Sequence, residues 1–288
     1  ELKIYQKRVM KNLSSYLDFL NDYDMNEAWK RYWAEQDVTV GLGGVPQYKD
    51  EIKGVPHICF KVPTGGGKTF MACSSLKTIF EKMPMDKPKV VVWLAPSDAI
   101  IEQTVNTLSN VNHPYRQKID QDFAGKVGVY TKEQLLNGQN FSPDTVREML
   151  TICVISYASL RVDSKKKDVR KVYQENGNLQ RFAEYFKDDD VLLADTDETA
   201  LIQALRHLEP VVVVDESHNA SSNLSVEMLN NLNPSFILDL TATPRKNSNI
   251  LSYVDARELK KENMVKLPVV VYNRDGVKDV LRDAVKLR

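Results

Sequence analysis

The chain alternates short apolar runs with longer amphipathic stretches. The apolar runs lie at residues 57–62, 89–95, 126–130, 151–157, 210–215 and 235–242. They lack the polar alternation of half-exposed strands, which is typical of parallel strands buried on both faces. Between them, helical patterns cover residues 68–82, 98–109 and 224–231. This predicts an α/β fold, a mostly parallel central sheet with helices on both faces, whose ligands bind at the carboxyl ends of the strands.

Three regions interrupt the alternation. Residues 1–20 have the pattern of an amphipathic helix, and residues 24–53 that of a helix followed by a mobile, glycine-rich loop. Trp29 and Trp33 are four residues apart in that second helix, so we expect them to pack on one face. Residues 161–207 form a charged insertion with the runs "SKKKD" and "KDDD". We expect a solvated helical excursion there, and nucleic-acid contact by its lysines is the alternative.

The composition limits the classes of function. The chain has 288 residues, of which 42% are hydrophobic, and its formal net charge is zero. Any surface for nucleic acid must therefore be local. The three cysteines lie within or beside apolar runs and lack metal or redox spacing, so we expect buried, reduced thiols. Neither a signal peptide nor an apolar run of membrane-spanning length is recognisable, which predicts a soluble, cytoplasmic protein without a membrane partner.

The stretch "VPTGGGKT", residues 62–69, has the composition of a phosphate-binding loop. In the pattern G-x-x-x-x-G-K-[ST], Gly67, Lys68 and Thr69 match the end, while an apolar residue stands in place of the first glycine. Gly65, Gly66 and Gly67 can turn backbone N–H groups towards phosphate at the positive end of a helix. Lys68 would reach the β- and γ-phosphates, and Thr69 would hold Mg²⁺. A flexible glycine turn is the alternative.

A second motif, "VVVVDESHNA" at residues 211–220, is an apolar strand that ends in two carboxylates. Asp215 at the strand tip can hold Mg²⁺ through water, and Glu216 can polarise the attacking water. Phosphoryl transfer requires this division between a metal that offsets charge and a base that orients the nucleophile. An isolated Asp-Glu pair often only caps a helix, but here a glycine loop precedes it in the same chain.

The combination resembles superfamily-2 helicases and translocases. "PTGGGKT" resembles their motif I, in which Thr64 belongs to the loop, and "DESH" resembles their D-E-x-H box. "LTATP" resembles motif III, "LAPSDAIIEQT" motif Ia, "VISYASL" a later strand-end motif, and "LKIYQKRV" the N-terminal glutamine element. Within the superfamily, the helicase subunit of type III restriction enzymes is the most similar.

The resemblance implies roles for individual residues. Gln6 would read adenine, since an amide offers a donor beside an acceptor. His218, Thr241 and Thr243 would couple the nucleotide to the nucleic-acid side. Contacts to the nucleic-acid backbone would come from Pro96, Ser97, Ser156 and Tyr157. Two alternatives stay open, because Tyr157 could instead be a buried tyrosine, and Arg245 is equally explained as a phosphate contact or an exposed charge.

The expected function is that of the ATP-binding RecA-like P-loop domain of a DNA helicase or translocase, which uses ATP and Mg²⁺ to move on nucleic acid. Double-stranded DNA is the expected partner. A second RecA-like domain is also expected, because its Q-x-x-G-R-x-x-R motif is not found in the chain. The isolated chain should therefore be a weak ATPase. A possible role in a restriction system, with a nuclease or methyltransferase partner, is left open.

The domain boundaries expected from these motifs are an N-terminal helical element at residues 1–56, the ATP-binding domain at 57–275, and the start of a linker at 276–288. Two other functions are alternatives. An ATP-gated nucleic-acid-binding switch would share all the motifs but would not translocate. A P-loop kinase is disfavoured, because "DESH" and "TATP" would then be coincidences.

Overall fold

The computed structural model describes residues 1–83, 86–160, 171–186, 191–215 and 222–264. Its centre is a seven-stranded sheet in which all neighbouring strands are parallel. Their order across the sheet is β3-β4-β2-β5-β6-β1-β7. The strands are β1 His57–Lys61, β2 Val90–Ala95, β3 Val127–Thr131, β4 Leu150–Ser156, β5 Val211–Asp215, β6 Phe236–Thr241 and β7 Ile250–Tyr253. All carboxyl ends therefore lie at one edge, the carboxyl edge.

Helices cover both faces of this sheet. They are α1 Ile4–Asp22, α2 Met25–Glu35, α3 Lys68–Lys82, α4 Asp98–Ser109, α5 Pro114–Asp122, α6 Lys132–Leu136, α7 Pro143–Glu148, α8 Tyr157–Leu160, α9 Gln180–Tyr185, α10 Leu201–His207, α11 Ser222–Leu232 and α12 Ala256–Lys261. One buried cluster contains side chains from helices α1 through α5 and from α12, packed against strand residues such as Trp93 and Leu238. The other contains side chains from helices α6 through α11, packed against strand residues such as Val92 and Ile155.

The two clusters explain why the apolar runs are continuous. Successive side chains of a strand point to opposite faces, and here each face is covered, so both sets must be apolar. The predicted RecA-like α/β fold is confirmed. The strand predictions agree with β1 to β6 to within one residue or two at each end. β7 was not predicted, because four residues after a polar loop give too short a pattern.

The prediction of a solvated excursion at residues 161–207 is wrong for the part that the structure describes. Leu201, Ile202 and Leu205 of α10 are fully buried against the sheet. Val172, Leu179 and Phe182 also belong to this core. The segment is thus the crossover from β4 to β5. The charged runs that motivated the prediction, at residues 164–168 and 187–190, lie outside the described residues.

The N-terminal helices join the same core through aromatic side chains. Tyr16 of α1 meets Trp29 and Tyr32 of α2 edge-on, with both pairs of ring centroids 6.0 Å apart. Trp29 and Trp33 are 5.7 Å apart at an interplanar angle of 76°, so the expected packing pair is confirmed. Such edge-to-face contacts stabilise by roughly 0.5–1.5 kcal/mol each beyond the buried area.

A short segment, residues 242–249, connects β6 to β7 on the far side of β1. Its end is fixed by the buried amide of Asn249. This side chain accepts from the backbone N–H of Lys49 at 2.8 Å and donates to the carbonyls of Lys49 and His57 at 2.9 and 3.0 Å. The segment thereby crosses β1 without a helix.

The three cysteines are buried and make no disulfide, as expected. None of the described helices has the length and apolar character needed to cross a membrane.

Candidate nucleotide site

The glycine loop follows β1 and has the backbone conformation that its sequence requires. Gly65 and Gly67 have φ angles of +83° and +76°, in the left-handed region that favours glycine. Gly67 is the N-cap of α3, and Lys68 is the first residue of that helix. The loop therefore leads directly into a helix N-terminus, where backbone N–H groups and the helix dipole favour an anion.

The side chains of the loop differ in exposure. Thr64 and Gly65 are exposed, Thr69 is half-buried, and Lys68 is only 9% exposed. Lys68 therefore stands at the start of α3, where its ammonium group is of opposite charge to a phosphate bound at the helix N-terminus.

Two neighbours on α1 hold this loop from the side. The Tyr5 hydroxyl donates to the carbonyl oxygen of Gly66 at 2.8 Å, and the Gln6 amide nitrogen lies 3.3 Å from the same oxygen. Gln6 is 2% exposed, and its amide oxygen accepts from the N–H of Lys3 at 2.9 Å. Burial raises the pKa of Tyr5, which keeps its hydroxyl protonated and able to donate.

A side chain at position 67 would contact Gln6 as well as strain the backbone. A Cβ atom at this position would lie 2.6 Å from the Gln6 amide nitrogen, which is closer than side-chain carbons approach in real structures. Gln6 therefore lies against the glycine loop, and its predicted recognition of adenine stays a prediction. Its sequence separation from the loop is 60 residues.

The remaining predicted residues of the carboxyl edge are arranged by strand order. β6 lies between β5 and β1, with Asp215 of β5 opposite Leu240 and Lys61 of β1 opposite Thr241. Asp215 is 7% exposed at the tip of its strand. The carboxylate strand and the glycine loop are thus separated by a single strand. Glu216 and His218 lie outside the described residues.

Thr241 contacts both sides of this arrangement. Its carbonyl accepts from the N–H of Val62, the first residue after β1, at 2.9 Å. Its hydroxyl accepts from the N–H of Thr243 at 3.1 Å. Thr241 is fully buried, whereas Thr243 is exposed. The turn after β6 and the start of the glycine loop are therefore connected through one residue.

Asp239, two residues earlier on β6, was not singled out in the sequence. It is 1% exposed, and one carboxylate oxygen lies 3.0 Å from the His57 ring nitrogen Nε2 and 3.8 Å from Arg245. Its other oxygen has no hydrogen-bond partner among the described residues. Arg245 is thus half-buried and paired with Asp239, and a phosphate contact by this residue stays a prediction.

The predicted nucleic-acid residues fall into two groups. Pro96 is half-buried and Ser97 is exposed, at the end of β2 where α4 begins. Ser156 is half-buried at the end of β4 and lines a groove of about 970 Å³. Tyr157 is 3% exposed, and its hydroxyl donates to the backbone carbonyl of Asp215. Its side chain is therefore in the core, as the alternative for this residue had it.

The groove is polar but not basic. Lys132 and Lys171 line it together with three carboxylates, those of Asp98, Glu133 and Glu175. Its position beside the ends of β3 and β4 separates it from the glycine loop, which follows β1 three strands beyond β2 in the sheet order.

Sequence reasoning missed Tyr5, Asp239 and the internal contact of Tyr157. Two of them left a signal. Tyr5 begins the buried stripe Tyr5, Val9, Leu13 and Tyr16 of α1, which has helical spacing. Tyr157 continues the alternation of Cys153 and Ile155, the residues of β4 that face the second cluster. Asp239 left none, because a carboxylate within an apolar strand cannot be matched to its partners without the strand order.

The comparison with protein families agrees with the motifs. The family model of the type III restriction enzyme res subunit matches residues 1–246. The search of curated proteins gives no match.

Three solved structures are similar over most of the chain. A nuclease-deletion mutant of the type ISP restriction-modification enzyme LlaGI, in complex with a DNA substrate mimic, is 13% identical, with 81% of this chain and 20% of that chain covered and a TM-score of 0.39. The UvsW helicase from bacteriophage T4 is 10% identical, with 83% of this chain and 64% of that chain covered and a TM-score of 0.32. The yeast DEAD-box splicing factor Prp28 is 15% identical, with 68% of this chain and 38% of that chain covered and a TM-score of 0.34.

The chain spans a fifth of the LlaGI chain and under two thirds of the other two chains. The family model, by contrast, covers most of the 288 residues, from the glutamine element through motif III. The chain therefore belongs to the family of the type III restriction enzyme res subunit.

Proposed function

We propose that the chain binds ATP with Mg²⁺ at the carboxyl edge and hydrolyses it to drive movement along nucleic acid. One observation carries this proposal. The left-handed glycines 65 and 67 lead into α3 beside an almost buried Lys68, and a strand that ends in the buried Asp215 lies one strand away. Family membership supports it, because the matched region includes every motif on which it rests.

The residues present fit a magnesium ion. Asp215 offers a carboxylate at a strand tip, and Thr69 offers a hydroxyl in the first turn of α3. Both are oxygen donors of the kind that Mg²⁺ prefers. When bound, the ion offsets charge on the phosphates. Lys68 and the N–H groups at the start of α3 hold the phosphate oxygens, while Gln6 recognises adenine from α1. Glu216 orients the attacking water.

Nucleic acid is assigned to the same edge, at Pro96, Ser97 and Ser156. His218, Thr241 and Thr243 couple the two sites. The expected nucleic acid is double-stranded DNA, and a second RecA-like domain would complete the catalytic site and permit translocation. The proposed units are a helical element at residues 1–56, the ATP-binding domain at 57–275 and the start of a linker at 276–288. A cytoplasmic location stays a prediction, as does a restriction role with a nuclease or methyltransferase partner.

The test compares two lysines that are close in the sequence. Lys68→Ala removes a charge-assisted contact to phosphate, which should weaken Mg·ATP binding by roughly 1.5–3 kcal/mol, or about ten- to a hundredfold. Lys61→Ala is the control, because the Lys61 ammonium lies over the Tyr253 ring at 4.9 Å instead. Calorimetric titration measures both. Equal affinity of the wild type and Lys68→Ala would refute the proposal.

A second measurement separates binding from chemistry. Glu216→Gln preserves the shape of the side chain but removes its basicity, so the variant should bind ATP normally and hydrolyse it far more slowly in a single turnover. A near-normal rate would remove Glu216 from the mechanism. If DNA changes nucleotide affinity but no form of the protein moves on DNA, the chain is instead part of an ATP-gated switch.

A further inference from the structure

Tyr157 connects two strands that are not neighbours. It follows the last residue of β4, and β2 lies between β4 and β5 in the sheet. Its ring therefore passes across the end of β2, and its hydroxyl donates to the backbone carbonyl of Asp215 at the tip of β5. Tyr157 is 3% exposed, and a hydrogen bond in such a buried place is stronger than one in water.

The carbonyl that accepts this bond belongs to the peptide group joining Asp215 to the next residue. Peptide groups are planar and rotate as one unit. The hydroxyl of Tyr157 thus holds the backbone of Asp215, the residue to which the proposed function assigns Mg²⁺.

The other side of the same short helix faces the groove. The N–H of Ser159 in α8 donates to the hydroxyl of Ser156, the last residue of β4, at 3.2 Å, and the two hydroxyls are 2.9 Å apart. The Lys132 ammonium donates to the Ser159 hydroxyl at 3.3 Å. These three residues line the groove of about 970 Å³. A phosphate placed there would take its hydrogen bonds from groups that are now bonded to one another.

We propose that Tyr157 is a positioning residue that couples occupation of this groove by a nucleic-acid backbone to the orientation of the Asp215 peptide group. The inference rests on the proposed function and deepens it. When a phosphate engages Ser156, Ser159 and Lys132, α8 shifts as a unit, and its tyrosine transmits the shift across β2. By linkage, a nucleotide bound beside Asp215 changes the affinity of the groove by the same factor.

The experiment measures this factor directly on the chain. The affinity for a short fluorescein-labelled DNA duplex is measured by anisotropy, with Mg²⁺ alone and with Mg²⁺ and the β,γ-imido analogue of ATP. The ratio of the two affinities is the coupling, which is roughly 5- to 150-fold in typical linked sites. Calorimetry of the analogue without DNA reports nucleotide binding separately.

Tyr157→Phe keeps the ring and removes only the hydroxyl. The ratio should fall by roughly two- to tenfold, the value of one neutral hydrogen bond. The affinity for each ligand alone should stay within about twofold of the wild type, since Tyr157 touches neither. Urea unfolding confirms that the variant is folded.

Tyr173→Phe is the matched control. The Tyr173 hydroxyl donates to the carbonyl of Leu160, the last residue of α8, at 2.9 Å, so its loss affects the same helix without touching Asp215. It should leave the ratio unchanged. Ser159→Ala, on the groove side, should weaken duplex binding and leave nucleotide affinity intact.

The outcomes separate the two proposals. An unchanged ratio in Tyr157→Phe, or an equal loss in Tyr173→Phe, would overturn the role of Tyr157. A wild-type chain that binds both ligands with a ratio of one would overturn the coupling but leave the proposed function standing. A wild-type chain that does not bind the analogue would refute the proposed function itself.

Discussion

Replacement of Gly67 by alanine tests whether the glycine loop is held by α1. Its φ of +76° makes any other residue strained, at a cost of roughly 1–2 kcal/mol. The new Cβ would also lie 2.6 Å from the Gln6 amide nitrogen. Gln6 must move, and its contact with the Gly66 carbonyl is lost, which costs roughly 0.5–1.5 kcal/mol more. The expected loss of stability is about 1.5–3.5 kcal/mol.

Gly43→Ala is the matched control, because this glycine has nearly the same φ, +79°, and no atom within 4 Å of a new Cβ. Both changes have the same effect on the unfolded chain, so the difference between them isolates the Gln6 contact. The midpoints of urea unfolding should be compared, with the slopes checked for equality. In a Gln6→Ala background, Gly67→Ala should cost less than in the wild type.

Equal shifts for the two glycine variants would refute the reasoning. The same result in the Gln6→Ala background as in the wild type would also contradict it, because the clash would then not involve Gln6. Gly67→Ala should in addition weaken Mg·ATP binding, because the strained loop no longer holds its left-handed conformation at the N-cap of α3, whereas Gly43→Ala should leave it intact.

The remaining predictions concern specificity, buried charge and thiols. Gln6→Ala should abolish a preference for ATP over GTP while leaving triphosphate binding largely intact; equal binding of both nucleotides by the wild type would disprove the assignment. Asp239→Ala should lower the free energy of unfolding by roughly 3–5 kcal/mol, because His57 and Arg245 lose a buried partner. The control is Asp144→Ala, which breaks an exposed pair with Arg181. It should lower the free energy of urea unfolding by at most about 1 kcal/mol. The three cysteines, whose pKa values are raised by burial, should resist iodoacetamide at neutral pH in the native state and react fully in urea, as mass spectrometry would show; rapid native labelling would contradict their burial.

Much of the fold could be predicted from local pattern alone. The helix at 68–82 agrees with α3 at both ends, because a glycine N-cap and a break after Lys82 mark it in the sequence. α10 was misjudged because the charge around it masked the apolar stripe of Leu201, Ile202 and Leu205. β7 was missed because its position depends on a non-local partner, β1, and on the anchored segment before it.

The candidate site divides in the same way. Gly65, Lys68 and Asp215 could be found because phosphate and metal chemistry restrict residue types at fixed spacing. The contact of Tyr5 with Gly66 spans 61 residues and that of Tyr157 with Asp215 spans 58, and no local rule determines either. Both are bonds from a side-chain hydroxyl to a backbone carbonyl, which any tyrosine could make. Their partners follow only from strand order.

Strand order also determines which residues can connect the sites. The Thr241 carbonyl accepts a hydrogen bond from the N–H of Val62, because β6 lies directly beside β1. The Thr241 hydroxyl accepts one from the N–H of Thr243. On the other side of β5, β2 separates it from β4, so backbone bonds cannot join Asp215 to the groove. A long side chain is needed to cross that strand, and a tyrosine, which ends in a donor and has few rotatable bonds, can do so at small entropic cost. Asp215 is therefore bonded to the end of β4 through the Tyr157 side chain, and this is a connection that one substitution can remove.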